Sequence, residues 1–185
     1  MPLPDADPAL SLPGAIVVMG VSGCGKSTLG AMLAETLGCA FLEGDDFHSA
    51  QAVEKMRGGS ALTDEDRWPW LDRLGGAMAG AIAPSSSGRP GVVAACSALR
   101  KVYRDRLRAA VGAAAGVPVH FVFLENSRDE LLARLGNRPG HYMPASLLDS
   151  QLATLEPPTA EEGAIVLPSG LPPAILRGRV LDWIG

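Results

Sequence analysis

The residues best suited to chemistry stand together near the N-terminus. Gly20-Val21-Ser22-Gly23-Cys24-Gly25-Lys26-Ser27 fits the pattern G-x-x-x-x-G-K-[ST]. Glycines in such a turn let the backbone wrap an anion with its N–H groups directed inward. The helix that the turn opens adds partial positive charge at its N-terminus. In this arrangement Lys26 reaches the β- and γ-phosphates of a nucleoside triphosphate, and the Ser27 hydroxyl ligates Mg²⁺. The sequence lacks the N-K-x-D run that reads guanine. Cys24 lies at the start of that helix beside Lys26, which makes its thiol either reactive or a tolerated small residue.

A second constellation follows. Val92-Val93-Ala94-Ala95-Cys96 is an apolar run that ends in Ser97, where many phosphate-binding proteins carry an Asp that steadies the metal. Another carboxylate must take that place, and Glu43, Asp45 and Asp46 are the candidates. In an open parallel sheet the carboxyl ends of neighbouring strands face one crevice. An acid there can also face an acceptor hydroxyl, which is the layout of a small-molecule kinase. His48 belongs to the same cluster. Lys55, Arg57 and Arg67 follow, then Arg100, Lys101 and Arg104. Cations opposite acids suit an acceptor that is itself anionic. Arg67 and His48 are the candidates for gripping its carboxylate and hydroxyls.

These groups need a scaffold. Ala15–Met19 is a short apolar run of the kind buried on both faces of a sheet. Further strands are expected at Cys39–Glu43, Val92–Cys96, Val117–Leu124 and Ala164–Leu167, with helical patterns between them. Such alternation means βαβ units and a mostly parallel sheet. A helix from Ser27 shows Leu29, Met32, Leu33 and Leu37 on one face, and Gly38 stops it. Another is expected near Ala50–Met56. A third is expected near Pro69–Ile82, with Pro69 in its first turn and Leu71, Leu74 and Met78 on one face. Ser127 and Glu130 form a capping box. Residues 84–90 read as a surface linker, and residues 134–143 as a polar loop between helices. Trp68 and Trp70 read as core or pocket wall. His120 reads as structural, and Trp183 as an anchor for the C-terminal helix.

The 185 residues are one domain's worth of chain, 47% apolar, which is enough for a full core. A net charge of −4 argues against a nucleic-acid binder that works through a basic face. No run is long and apolar enough to span a membrane, and Met1 to Pro13 reads as a short flexible tail rather than a secretory signal. Cys24, Cys39 and Cys96 form no C-x-x-C pair, and free thiols suggest the reducing cytoplasm. Lys26, Lys55 and Lys101 are the only lysines among sixteen Lys plus Arg.

Several blocks together resemble the P-loop gluconokinases, a family similar in fold to shikimate kinase. The phosphate turn is followed by Gly44-Asp45-Asp46-Phe47-His48 and Lys55-Met56. Then come Leu62-Thr63-Asp64-Glu65-Asp66-Arg67-Trp68-Pro69-Trp70-Leu71 and Ala95-Cys96-Ser97-Ala98-Leu99-Arg100-Lys101-Val102-Tyr103-Arg104. Gly140-His141-Tyr142-Met143-Pro144 through Gln151 to Glu156-Pro157-Pro158 completes the likeness, which runs from about Ala15 to Pro158. Cys24 stands where the family more often has Ser, and Arg100 where it often has Lys.

The resemblance implies ATP-dependent phosphorylation of D-gluconate at its terminal hydroxyl, with Mg²⁺, commonly by a homodimer. It implies a three-layer α/β/α P-loop fold in a single domain over residues 14–185. A five-stranded parallel sheet would carry an acceptor-binding helical segment at about 45–90 and a lid at about 134–143. Residues 20–28, including Thr28, would bind ATP together with Arg134. Lys26, Asp45 and Arg138 would be catalytic. Glu43 would hold the metal through water beside Ser27. Asp45, His48, Lys55, Arg67, Ser97, Ala98, Arg104 and His141 would meet the acceptor, Ser97 and Ala98 through backbone N–H groups at a helix start. Another small-molecule kinase, for shikimate or a different sugar acid, is the nearest alternative. A non-catalytic nucleotide switch is the more distant one, since a switch needs no second substrate site.

Overall fold

The computed structural model describes residues 14–82, 91–136 and 144–185. The tail 1–13, the linker expected at 84–90, Arg138 and His141 therefore lie outside the described residues, as does most of the expected lid. Among the described residues, β1 (Ala15–Met19), β2 (Ala40–Glu43), β3 (Val92–Ala95), β4 (Val119–Glu125) and β5 (Ala164–Pro168) form one sheet. Its order is β2-β3-β1-β4-β5, and every neighbouring pair is parallel.

The strand period of two explains the layers. In β1, Ala15, Val17 and Met19 face one side, where α3 (Asp64–Ile82) and α4 (Lys101–Ala115) pack through Leu71, Leu74, Met78, Leu107 and Val111. Ile16 and Val18 face the other side, where α1 (Lys26–Leu37) and α7 (Pro173–Ile184) pack through Leu29, Leu33, Leu37, Leu176 and Val180. All five residues of β1 are buried, as a strand covered on both faces requires. His120 in β4 meets Trp183 of α7 edge to face, with ring centroids 5.6 Å apart. The last helix is pinned there.

Helix ends follow the sequence signals with one exception. Gly38 closes α1 in the left-handed region, φ 66°, and its N–H returns to Ala34 and Glu35 carbonyls. Ser127 and Glu130 cap α5 (Arg128–Gly136) reciprocally. The exception is α3. It starts at Asp64, so Pro69 stands inside the helix rather than in its first turn. The cause is a capping box further upstream. Asp66 accepts the Thr63 N–H at 2.8 Å, and the Thr63 hydroxyl accepts the Asp66 N–H at 3.2 Å. The remaining helices are α2 (Ala50–Arg57) and α6 (Ala145–Thr154).

Burial pushes the Cys39 thiol up to about 11 and the Cys96 thiol to about 12. Both are held as neutral thiols, and Cys96 is part of the core. Cys24 is also buried, at 1% exposure, and packs in the core on the α1 side of the sheet.

Candidate active site

The donor half of the site is the turn between β1 and α1. Gly25 caps α1 with φ 95° and offers no side chain, so the first N–H groups of the helix stay directed at the turn. The Lys26 ammonium donates to the Val21 carbonyl at 3.0 Å. The Ser27 hydroxyl donates to the Glu43 carboxylate at the end of β2. Arg134 of α5 donates to the carbonyls of Cys24 (3.2 Å) and Ser169 (2.9 Å). It thereby joins the turn to the chain after β5. A cavity of about 370 Å³ opens there, lined by Gly25, Thr28, Leu29, Arg134, Gly170 and Pro172 among others.

The acceptor half is a cleft of about 440 Å³ at the carboxyl ends of β2, β3 and β1. Ser22 and Lys26 form its floor on the phosphate side. Asp45, His48, Arg57, Arg67, Trp70, Ser97 and Gln151 form its walls. Gly44 makes this possible. A Cβ on it would lie 2.3 Å from the Ala95 carbonyl of β3, so only glycine lets the chain turn here. The short 3₁₀ turn Gly44–Phe47 then presents the Asp45 carboxylate at 81% exposure.

His48 is held beside Asp45 by stacking. Its ring lies 4.1 Å from that of Trp70, at 17° between planes. The Trp70 indole N–H donates in turn to the Gly44 carbonyl at 2.7 Å. The His48 side chain is 6% exposed, and its Nε2 is 4.0 Å from Asp45. Its Nδ1 has no hydrogen-bond partner among the described residues. Burial lowers the His48 pKa, outweighing the opposing pull of Asp45, and keeps the ring neutral.

Arg67 enters the cleft on a fixed arm. Its guanidinium donates to the Tyr103 hydroxyl at 2.9 Å, and the Tyr103 hydroxyl donates to Asp64. Arg100 binds the same Asp64 at 2.5 Å and Glu156 at 3.3 Å. Burial and the Asp64 contact both push the Tyr103 phenol up, so it stays a donor.

Three sequence expectations are corrected here. Arg104 does not reach the acceptor. It is fully buried, and its guanidinium binds both Glu162 oxygens (2.9 and 3.2 Å) and the carbonyls of Ala98 and Leu99. It braces the loop before α4 against the turn before β5. Lys55 is engaged by Asp66 at 2.6 Å, away from the cleft lining, and ties α2 to the start of α3. That contact holds the Asp66 carboxyl down near 2. Ser97 and Ala98 precede α4 rather than open it, since Glu156 caps the helix at the Lys101 N–H (2.8 Å). Ser97 lines the cleft, whereas Ala98 is buried behind it in the left-handed region at φ 44°.

Arg57, one of the cations expected opposite the acids, lines the cleft, and so do Leu147, Ser150 and Gln151, to which the sequence assigned no role. The last three fall at i, i+3 and i+4 on one face of α6, a signal that helical spacing carries. No group of three or more metal-binding side chains occurs among the described residues. Ser27 with Glu43 is nevertheless a fitting donor pair for Mg²⁺, which takes one or two protein oxygens and leaves the rest to phosphate and water.

Comparison with known proteins places this geometry. The family described as AAA domain (AAA_33) matches residues 16–158. The gluconokinase of Gluconobacter oxydans is 46% identical over 153 residues, covering 83% of this chain and 81% of that one. The thermosensitive gluconokinase of Escherichia coli is 43% identical over 151 residues, covering 81% and 75%. The crystal structure of a gluconokinase from Sinorhizobium meliloti superposes with a TM-score of 0.80 at 43% identity, covering 94% of this chain and 93% of that one. An APS kinase of Mycobacterium tuberculosis, at 18% identity and a TM-score of 0.65, shares the fold. With its phosphate turn, its acid at the end of β2 and relatives of this identity along most of its length, the chain belongs to the gluconokinase family of P-loop kinases.

Proposed function

We propose that this chain transfers the γ-phosphoryl group of ATP directly to the terminal hydroxyl of D-gluconate, giving 6-phospho-D-gluconate. One observation carries the reading. A single cleft brings together the Ser22 and Lys26 edge of the phosphate turn, the Asp45 carboxylate and the cations Arg57 and Arg67. A phosphate donor, an acid for a hydroxyl and a charge match for a carboxylate are what this transfer needs. The gluconokinase relatives supply the acceptor's name.

Phosphoryl transfer depends on positioning and charge neutralisation more than on covalent help. Arg67, with Arg57, binds the acceptor carboxylate at one end of the cleft. His48, neutral and part of the cleft wall, pairs with an acceptor hydroxyl. Asp45 accepts a hydrogen bond from the terminal hydroxyl and takes its proton late in the transfer. Lys26 leaves the Val21 carbonyl for the transferring phosphoryl group, a stronger and charged acceptor. Ser27, and Glu43 through water, would hold Mg²⁺. When bound, the ion neutralises charge on the β- and γ-phosphates. The Arg134 cavity beside Thr28 takes the rest of the nucleotide. Arg138 as an arginine finger and His141 as an acceptor contact complete the set that the family likeness supports.

The same likeness supports a single catalytic domain over 14–185, with an acceptor-binding segment at 45–90 and a lid at 134–143. It also supports a homodimer, which light scattering on the eluted protein would count. A cytoplasmic site of action suits the three free thiols. No helix among the described residues is long and apolar enough to cross a membrane. The decisive assay is ADP release with ATP and Mg²⁺ against a panel of sugar acids, shikimate and nucleoside monophosphates. D-gluconate should give the highest kcat/KM. A rate independent of every acceptor would mark a nucleotide switch instead.

A further inference from the structure

Gln151 of α6 touches both halves of the cleft. Its Oε1 accepts the Ser22 backbone N–H at 2.8 Å, and its Nε2 donates to the Ser22 hydroxyl at 3.2 Å. Ser22 is the third residue of the phosphate turn. The two lie 129 positions apart, so the contact is made by the fold and not by local geometry. Both residues line the cleft with Lys26 and Asp45.

The turn therefore has two anion-seeking groups, each on a neutral partner. The Ser22 N–H is on a carboxamide oxygen, and the Lys26 ammonium is on the Val21 carbonyl. Ser22 is half-buried, and a backbone N–H shielded from water is costly to leave bare, so an acceptor covers it while no phosphate is present. A phosphoryl oxygen is charged, and hydrogen bonds to ionised acceptors are roughly twice as strong as neutral ones. Nucleotide should displace the carboxamide. The freed amide has two donors and an acceptor, and it already lies in the wall of the acceptor site. That is a suitable set for a polyhydroxy chain.

We propose that Gln151 is a positioning residue that couples the two substrate sites. It releases Ser22 when the terminal phosphoryl group takes that N–H, and it then binds acceptor hydroxyls, so bound nucleotide raises the affinity for gluconate. By linkage, gluconate raises the affinity for nucleotide by the same factor. This rests on ATP and gluconate being the two substrates.

The test is calorimetric titration of gluconate into the full chain, with and without a saturating non-hydrolysable ATP analogue and Mg²⁺. The wild type, Gln151→Leu and Gln151→Glu are compared. In the wild type the analogue should tighten gluconate binding by about fivefold or more. In Gln151→Leu that factor should fall to about one, while the analogue binds at least as tightly as before. In Gln151→Glu the analogue should bind more weakly, because a carboxylate grips the Ser22 N–H harder and repels phosphate. A coupling factor retained in Gln151→Leu would overturn the inference. So would a loss of analogue affinity in Gln151→Leu with coupling intact, which would make Gln151 only a brace for the turn. Gluconate failing to bind the wild type at all would overturn the substrate assignment and this inference with it.

Discussion

The two halves of the cleft are built differently. The donor half is one stretch of chain, Gly20 to Thr28, and its binding groups are largely backbone N–H groups and a helix end. The acceptor half is drawn from α2, α3, α6, the 3₁₀ turn after β2 and the loop after β3, and its binding groups are side chains. Backbone groups are placed by the turn itself. Side-chain groups are placed by whatever else they touch. Arg67 points into the cleft because Tyr103 and Asp64 hold it, and Asp64 is held by Arg100. Four cations that look alike in sequence thus divide in two. Arg57 and Arg67 face the cleft, whereas Lys55 and Arg104 are engaged by Asp66 and Glu162.

The largest effect should come from the acid that joins the halves. Asp45→Asn should lower kcat by about 10²–10⁴-fold, the range for general acid–base groups, while ATP binding measured by calorimetry stays intact. A kcat within threefold of wild type would remove Asp45 from the chemistry.

Next is a residue outside the reaction. Arg104→Leu takes the main cation from the Glu162 carboxylate, which is only 9% exposed, and leaves it Arg108 and the Thr159 N–H. Breaking a buried pair from one side should cost about 3 kcal/mol of unfolding free energy. Urea titration reads this, and the gluconate KM of the folded protein should stay near its wild-type value. A raised KM with unchanged stability would return Arg104 to the acceptor site.

A smaller effect separates the halves by pH. Burial holds His48 and His120 below 6.5 in the fold, so the unfolded chain binds more protons in that range. Stability should therefore be full above 6.5, fall as pH drops below it, and level off with respect to these groups beneath their folded values. The melting temperature from pH 7.5 to 5 should fall less in His48→Gln than in the wild type. An identical slope would show that His48 does not titrate on unfolding.

The same contrast governs what could be read in advance. The phosphate turn was legible because its chemistry is contiguous and its residue types are forced by backbone geometry. The parallel sheet followed from alternation, and both faces of β1 follow from its five apolar residues, whereas the order of the strands did not follow from either. The start of α3 was misread because Pro69 looked like a first-turn residue, whereas the Thr63–Asp66 box sits upstream. Lys55 and Arg104 were misassigned because sequence shows charge but not partner. Asp66 is eleven residues from Lys55, and Glu162 is fifty-eight from Arg104. Gln151 belongs to a block that resembles the family, yet its contact with Ser22 depends on a fold that returns α6 to the turn.

The division of the cations is most directly tested by gluconate saturation curves for Arg67→Met and Lys55→Met, run beside the wild type at saturating ATP and Mg²⁺. Loss of a hydrogen-bonded charge pair should raise the gluconate KM of Arg67→Met by about 10–100-fold. Lys55→Met should stay within about threefold, because its ammonium is already taken by Asp66. Equal increases in both variants, or an increase in Lys55→Met alone, would contradict the assignment of Arg67 to the acceptor carboxylate.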